Sequence, residues 1–362
     1  MATEFDYSNL PVETKTSTEK CPNCGANLIY DPKRGVLYCE HCDTVIEFKE
    51  ANSSEQSFDN LFKATGWAEE ARVFSCPNCG SKEVISKSEI AKTCSFCGTA
   101  VVVDNSAIPG LRPNAVVPFK IVLQDAVDRV IAWAKKRLFA PSAFKKSVTP
   151  ENTHGVYNPV FTFDSQTFTQ YNGVLERTEF YTVKVGGKPV TKTRTVRFGI
   201  NGTFSHFFDD VLIQASSAVA EATIAHLQPF DTNASKTYTP EYLMGFTAAQ
   251  YTKDGKRCWD ECRAKMDTFI KKSVLSRYQY TRIVSFNANT IHSKTTYKYL
   301  LLPLWIGHTT FKQKLYNFFV NGHNGKVAGK TPISPLRVTI AGLLGAGILV
   351  GAYFLLKLAG VI

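Results

Sequence analysis

The sequence predicts an α+β protein: two small zinc ribbons of four cysteines each, a mainly antiparallel β domain with helices, and one C-terminal transmembrane helix. Three observations carry this reading. Two cysteine quartets share one spacing, a long β-type stretch is interrupted by amphipathic helices, and an uncharged apolar run lies close to the C-terminus. With 362 residues, 44% hydrophobic and 12% aromatic, the chain can bury one sizeable core beside small modules.

The first quartet reads Cys21-Pro-Asn-Cys24-Gly and Cys39-Glu-His-Cys42; the second reads Cys76-Pro-Asn-Cys79-Gly and Cys94-Ser-Phe-Cys97. In both, 14 residues separate the inner cysteines, and the copies are offset by 55 residues. Two sulfurs on a tight knuckle can face one ion, and a second knuckle across a hairpin completes the tetrahedral thiolate shell that Zn2+ prefers. Glycine after the first pair suits the positive φ such a knuckle needs. Buried or disulfide-bonded cysteines would leave the matched spacing to coincidence. The expected ligands are therefore Cys21, Cys24, Cys39, Cys42, Cys76, Cys79, Cys94 and Cys97, holding two structural zinc ions. His41 lies inside a knuckle, but four thiolates already fill that shell.

Residues 1–18 are polar and aperiodic and read as a mobile tail. Ribbon one takes 19–48, with its hairpin turning through Asp31-Pro32-Lys33-Arg34-Gly35. Residues 49–72 read as a linker whose Phe58, Leu61, Phe62 and Trp67 could dock on a ribbon, a partner or the chain's own body. Ribbon two takes 73–104, and Ile108 to Pro113 marks a boundary.

The α+β domain is expected over 119–330. Leu123, Ala126, Val127, Val130, Ile131 and Ala134 recur at helical spacing. Strands are expected at Val160–Phe163, Gln166–Tyr171, Thr178–Val185 and Val190–Phe198, with turns at Gly186-Gly187 and Asn201-Gly202. His206 beside Asp209 and Asp210 could form a site, but a cap on a helix near Ala215–Leu227 is favoured. Thr239-Pro240-Glu241 reads as a helix start. A further helix near 254–277 carries Cys258 and Cys262 on one face, and packing explains them better than metal. Strands resume at Tyr280–Phe286, Thr296–Thr310, Lys314–Val320 and Lys326–Ala328. Tyr299 to Ile306 is apolar but far too short to span a bilayer, so it is a central strand. Asn158-Pro159 with its following residues parallels Leu302-Pro303 with its own, which suggests two related halves with helices on one face of the sheet.

Val338 to Leu356 contains no charge and is flanked by Arg337 and Lys357. Its 19 residues make a helix of about 28 Å, close to the ~30 Å of a hydrocarbon core. Lys312, Lys314, Lys326, Lys330 and Arg337 precede it, against one lysine after, so the positive-inside rule places the body in the cytoplasm. Thiolates kept for metal also fit a reducing compartment, and no secretory signal opens the chain. The expected location is the cell membrane, single-pass. Gly342, Gly345, Gly347 and Gly351 would let a second such helix approach, so a homo-oligomer is one expectation.

The net charge of +11 is uneven: −7 over residues 1–70, +2 over 71–118 and +16 over 119–362. The basic portion carries the membrane segment, so an anionic leaflet explains it at least as well as nucleic acid. No nucleotide-binding loop, HExxH or nucleophile elbow occurs, and no catalytic set is expected.

Cys-Pro-Asn-Cys-Gly at 21–25 and 76–80, His206-Phe-Phe-Asp-Asp210, Tyr238-x-Pro-Glu-Tyr-Leu-x-Gly-Phe246, Leu301-Leu-Pro-Leu-Trp305 and Tyr316-x-Phe-x-Val-Asn-Gly322 together resemble a bacterial family of membrane-anchored double zinc-ribbon (TFIIB-type zinc-ribbon-containing) proteins. The resemblance implies a membrane-stress or membrane-organising adaptor with SPFH-domain or phage-shock-type partners. The expected function is recruitment of a partner protein to the membrane. The alternative is a membrane-tethered nucleic-acid-binding protein.

Overall fold

The apolar run Leu300 to Ile306 can be buried only if both its faces are covered, and the sheet is built around it. Every residue of the run is buried. The computed structural model describes residues 20–62, 71–86, 91–97, 99–102, 106–107, 111–146 and 152–358. The expected tail, Trp67 and the Ile108–Gly110 part of the expected boundary fall outside these residues.

In chain order, β1 (Ile29–Asp31), β2 (Val36–Tyr38) and β3 (Val45–Ile46) form a three-stranded antiparallel sheet in the first ribbon. Next come β4 (Gln56–Ser57) and a 3-10 turn at Phe58–Phe62. The second ribbon region holds β5 (Ala71–Ser75), β6 (Lys82–Ser86), β7 (Ala91–Thr93), β8 (Ala100–Val102) and β9 (Ser106–Ala107). The body follows with β10 (Ala115–Val116), α1 (Leu123–Lys135), α2 (Ser142–Lys146), β11 (Thr153–Val185), β12 (Lys188–Gln214), α3 (Glu221–Leu227), β13 (Lys236–Thr237) and β14 (Thr247–Ala249). It ends with α4 (Gly255–Leu275), β15 (Arg282–Phe311), β16 (Lys314–Asn321), β17 (Val327–Gly329) and α5 (Pro335–Leu358). Apart from α5, the fold is mixed α and β, dominated by a large, mostly antiparallel sheet.

Two units of the same order make up the body. One runs β10, α1, β11, β12; the other runs β14, α4, β15, β16. The long strands β11 and β15 pair antiparallel at the centre, with Asn158 opposite Leu302. Each short first strand crosses to the other unit, where β10 pairs parallel with β15 and β14 parallel with β11. The two prolines fit this exchange. Pro159 lies between the stretch of β11 that pairs with β14 and the stretch that pairs with β12, and Pro303 lies between the β10-paired and β16-paired stretches of β15. A residue without an N–H fits a strand where one outer partner ends and the next begins. Both carbonyls there still accept, from Ala215 N at 3.1 Å and Gly322 N at 2.8 Å. The Asn-Pro and Leu-Pro similarity in the sequence thus marks positions that are equivalent in the sheet.

Several expected strands merge. Asp164, Ser165, Asn172 and Asn201-Gly202, read as breaks or turns, lie inside continuous strands. A bulge between Phe163 and Ser165 absorbs the first polar pair. Gly202 is small because Tyr171 lies over it: a Cβ there would be 2.8 Å from the Tyr171 Oη. The turn at Gly186-Gly187 is present, with positive φ at both glycines.

Helices occupy both faces of the sheet, not one. Alternate residues of β15 explain this. Leu301, Trp305, Tyr297 and Tyr299 join the clusters containing α1 and α4, whereas Leu300, Leu302, Leu304 and Ile306 join the one containing Ile224 and Leu227 of α3. The ribbons divide in the same way. Cys21, Leu28, Tyr30 and Leu37 belong to the α1 cluster, and Cys76, Cys94 and Phe96 to the α3 cluster.

Residues 49–62 are bound to the body along their length. β4 pairs with β15 at Tyr297 and Thr296, Ser53 N donates to Ser235 O at 3.2 Å, and Phe58 packs edge-on against Trp259 at 5.0 Å. Gly255 opens α4 close against Leu61, whose Cδ1 leaves no room for a Cβ there. Of the three docks left open for this stretch, the chain's own body is the one that receives Phe58 and Leu61.

Candidate metal centres

Each quartet is built from two knuckles whose backbone closes on itself. In the first, Cys21 N donates to Ala26 O at 2.8 Å and Gly25 N to Cys21 O at 2.8 Å. In the second, Cys39 N donates to Thr44 O at 3.0 Å and Asp43 N to Cys39 O at 2.9 Å. Cys76 and Ser81 repeat the first arrangement at 2.9 Å, and Cys94 and Thr99 the second at 2.9 Å. The residue after each first pair turns left-handed, Gly25 at φ +74 and Gly80 at φ +71, as the sequence predicts.

These turns bring the eight expected cysteines into two groups of four whose ligand atoms all lie within 4.8 Å of one another. The Sγ atoms of Cys21 and Cys42 are 3.5 Å apart, as are those of Cys24 and Cys39. The pairs Cys76–Cys97 and Cys79–Cys94 are each 3.6 Å apart. A tetrahedron with Zn–S bonds of ~2.3 Å has edges of about 3.8 Å, so the donor set fits zinc in number, type and span. His41 is exposed and outside both groups.

Around the sulfurs lies a shell of hydroxyls. Thr44 Oγ1 is 3.0 Å from Cys42 Sγ, Thr99 Oγ1 3.3 Å from Cys97 Sγ, and Ser81 Oγ 3.2 Å from both Cys79 and Cys94. The Thr44 hydroxyl and amide bring the Cys42 thiol down to about 6. Burial would raise Cys97, but the Thr99 hydroxyl and amide bring it down to about 6 as well. Burial raises Cys94. In each quartet the threonine hydroxyl and amide thus favour the thiolate of the last cysteine, while four free thiolates at this spacing would repel and a divalent cation would neutralise them. Glu83, fully buried, accepts from Ser95 N at 3.0 Å and Ser95 Oγ at 2.9 Å and so holds the last knuckle.

The sequence reading missed this shell. Threonine stands two residues after the last cysteine of both quartets, and that repeat was a signal for Thr44 and Thr99. Nothing local marks Glu83.

Both ribbons are docked. Tyr30 N donates to Met244 O at 3.0 Å, and the Tyr30 and Phe48 rings lie 5.4 and 5.1 Å from that of Tyr242. Tyr242 donates from its hydroxyl to Glu50 at 3.0 Å, and Phe246 stacks on Phe119 at 4.2 Å. The Tyr238–Phe246 motif is therefore the seat of the first ribbon. It forms only a single 3-10 turn, Pro240–Leu243, with no side-chain cap from Thr239. The second ribbon adds β6 to the edge of the large sheet, with Val84 opposite Ala248 of β14.

The other singled-out residues fall elsewhere. Cys258 and Cys262 are fully buried with Met266, Ile270 and Val274 on α4, far up the thiol range at about 12 through burial. Neither Asp209 nor Asp210 caps a helix: β12 continues through both to Gln214, and α3 starts only at Glu221, after Ala220. His206 packs between Phe208 and Phe269, at 4.5 and 4.8 Å. Asp210, at φ +48, donates its N–H to Asp164 at 2.7 Å, and its carboxylate takes Lys298 at 3.3 Å. Lys298 also reaches Glu55 at 2.5 Å, so this third acidic group is already held by an ammonium.

α5 is one helix long and apolar enough to cross a membrane: Pro335–Lys357 spans 23 residues at mean hydropathy 2.1 with none of its window buried. Its start is fixed to the body. Ser334 N donates to Phe139 O at 2.8 Å, and the Arg337 guanidinium donates to Ala140 O at 2.7 Å, Leu138 O at 3.1 Å and Ser142 Oγ at 2.6 Å. Gly342, Gly345, Gly347 and Gly351 face open space.

No family model matches the chain, and no solved structure matches it. Among curated proteins it is similar to the uncharacterized protein YdjG of Bacillus subtilis (strain 168), 27% identical over 342 residues, covering 94% of this chain and 96% of that one.

Proposed function

We propose that the protein is a tail-anchored adaptor. α5 crosses the cell membrane once, the body lies in the cytoplasm, and the two quartets hold structural zinc. The adaptor binds a partner protein, in a membrane-stress or membrane-organising role, and keeps it at the bilayer. The observation that carries this reading is the joining of two four-sulfur centres to a body that ends in a bare apolar helix. Four protein ligands leave zinc no open position for water or substrate, so the metal would stabilise shape and not act as a Lewis acid. The excess of lysine and arginine before α5, with one lysine near its end, supports the cytoplasmic placement.

The test is proximity labelling of the full-length chain in cells beside its Cys76→Ser/Cys79→Ser variant. The expected result is a protein that leaves the membrane fraction in the variant while the chain itself stays. A labelled membrane proteome identical in both would overturn the reading.

A further inference from the structure

The two units of the body differ in how far their strands run past the equivalent prolines. Past Pro303 the second unit turns back at Lys312-Gln313, after β15 has run from Leu304 to Phe311. Past Pro159 the first unit continues to Val185 before returning. As far as Glu176, β11 lies between β12 and β15. Beyond it, β11 and β12 pair only with each other, from Arg177↔Val196 to Val185↔Lys188. The root is locked, with the Glu176 carboxylate accepting Arg197 at 2.8 Å and facing Arg282 at 3.9 Å. No residue from Arg177 to Gly199 is buried. A two-stranded ribbon wet on both faces is marginal by itself in water.

Its chemistry is one-sided. Residues 177–197 contain six lysines and arginines against the single Glu179, a net of +5. Glu179 is shared by Arg177 at 2.8 Å and Arg194 at 2.9 Å. Between these charges stand exposed apolar side chains: Phe180 at 74%, Val185 at 55% and Val190 at 40%. Both backbone edges of the ribbon are unpaired among the described residues.

We infer that this arm, Arg177 to Arg197, is a docking surface for an acidic, partly apolar extended segment of a partner protein, which adds as a strand to a free edge. Strand addition supplies main-chain hydrogen bonds, and alternate side chains supply the choice of partner. Each other occupant meets a contrary observation. A second copy would bring +5 against +5. Nucleic acid would take the charges and could stack on Phe180, but it leaves exposed Val185 and Val190 unmatched, so it is kept as an outcome of the test. The bilayer that holds α5 lies at the other end of the sheet, where Phe144 of α2 packs on Phe311 and Arg337 binds Ser142. β11 runs from that end, opposite Gly307, to the arm tip. The inference rests on the adaptor reading and adds to it a second contact, remote from the Cys76 quartet, for a partner of stated chemistry.

The test uses the full chain in phosphatidylcholine nanodiscs and a labelled peptide of about twelve residues alternating Glu and Val. Fluorescence anisotropy should show saturable binding, with none for the Lys-Val counterpart. Lys188→Glu/Lys192→Glu/Arg194→Glu should weaken the Glu-Val peptide about tenfold or more and let the Lys-Val peptide bind instead. N-methylation of alternate peptide amides should abolish binding, because a strand needs its donors. A far-ultraviolet circular-dichroism spectrum and a thermal midpoint equal to those of the parent chain show that the variant is folded. Unchanged Glu-Val affinity in the triple variant overturns the inference and leaves the adaptor reading standing. Tighter, arm-dependent binding of duplex DNA of about 20 base pairs overturns it in favour of nucleic acid. Binding that behaves as expected supports the arm even if the Cys76/Cys79 experiment finds no recruited protein, an outcome that would sink only the adaptor reading.

Discussion

Cys24 and Lys298 carry the clearest single-residue consequences. Cys24→Ser removes one of four donors, so anaerobically purified protein should hold one zinc per chain where the parent holds two, with the Cys76 quartet still loaded. Metal analysis showing zero in the parent would refute the zinc assignment. Lys298→Met leaves Glu55, Asp164 and Asp210 facing one another without their ammonium. Breaking a buried ion pair from one side costs on the order of 3 kcal/mol, and denaturant unfolding at pH 7 should show it. The pH dependence has a definite sign. Burial raises Glu55 and Asp164 above their ordinary values of 4.5 and 3.8. A group with a raised folded pKa contributes stability below its unfolded pKa and loses it as pH rises through the folded one. Lys298 pulls both back down, so its loss raises them further, and the deficit of Lys298→Met should shrink as pH falls towards 4 and the two carboxyls protonate; a pH-independent deficit would mean that packing, not charge, is lost. The cysteines were legible because a metal shell is written in local spacing. Lys298 was not, because Asp210, one of its partners, is 88 residues away and chosen by strand register.

At the scale of elements, the sequence located most of them and misplaced their ends. α1 and α4 fall where the periodicity puts them, and Asp254 caps α4 by accepting from Arg257 N at 2.7 Å. The strands were cut too short wherever polar residues interrupted the alternation. In β11 and β12 those residues sit in a bulge or on a wet face, and neighbouring strands impose the pairing through them. α5 makes its own prediction. Ending the chain at Arg337 keeps every strand and globular helix as well as the guanidinium contacts. The truncated protein should therefore be folded and soluble, where the full chain sediments with membranes after a salt wash. Sedimentation of the truncated protein under that wash would reveal a second membrane-binding surface.

For the molecule as a whole, stability should fall along the sheet from its centre to the arm. Amide exchange should be slowest over Val156–Phe163 and Leu300–Ile306, where both faces are covered, and fastest over Arg177–Gly199, where water reaches every residue. Uniform protection along β11 would mean that the arm is covered in solution. The order of modules was readable from the sequence, because metal spacing, periodicity and hydropathy are each local. The exchange of short strands between the two units was not, since a two-residue strand such as β10 has no sequence signature apart from the neighbour that selects it. One further consequence follows from Arg337. The three bonds of its guanidinium and the Ser334 amide leave no slack between the last body contact and the first turn of α5. A body on a loose leash tumbles freely, and a pull on it reaches the lipid only as tension. This body is clamped to its stem. If the stem stands in a bilayer, a sideways load at the arm arrives there as torque, and the lipid must answer it by letting the helix tilt.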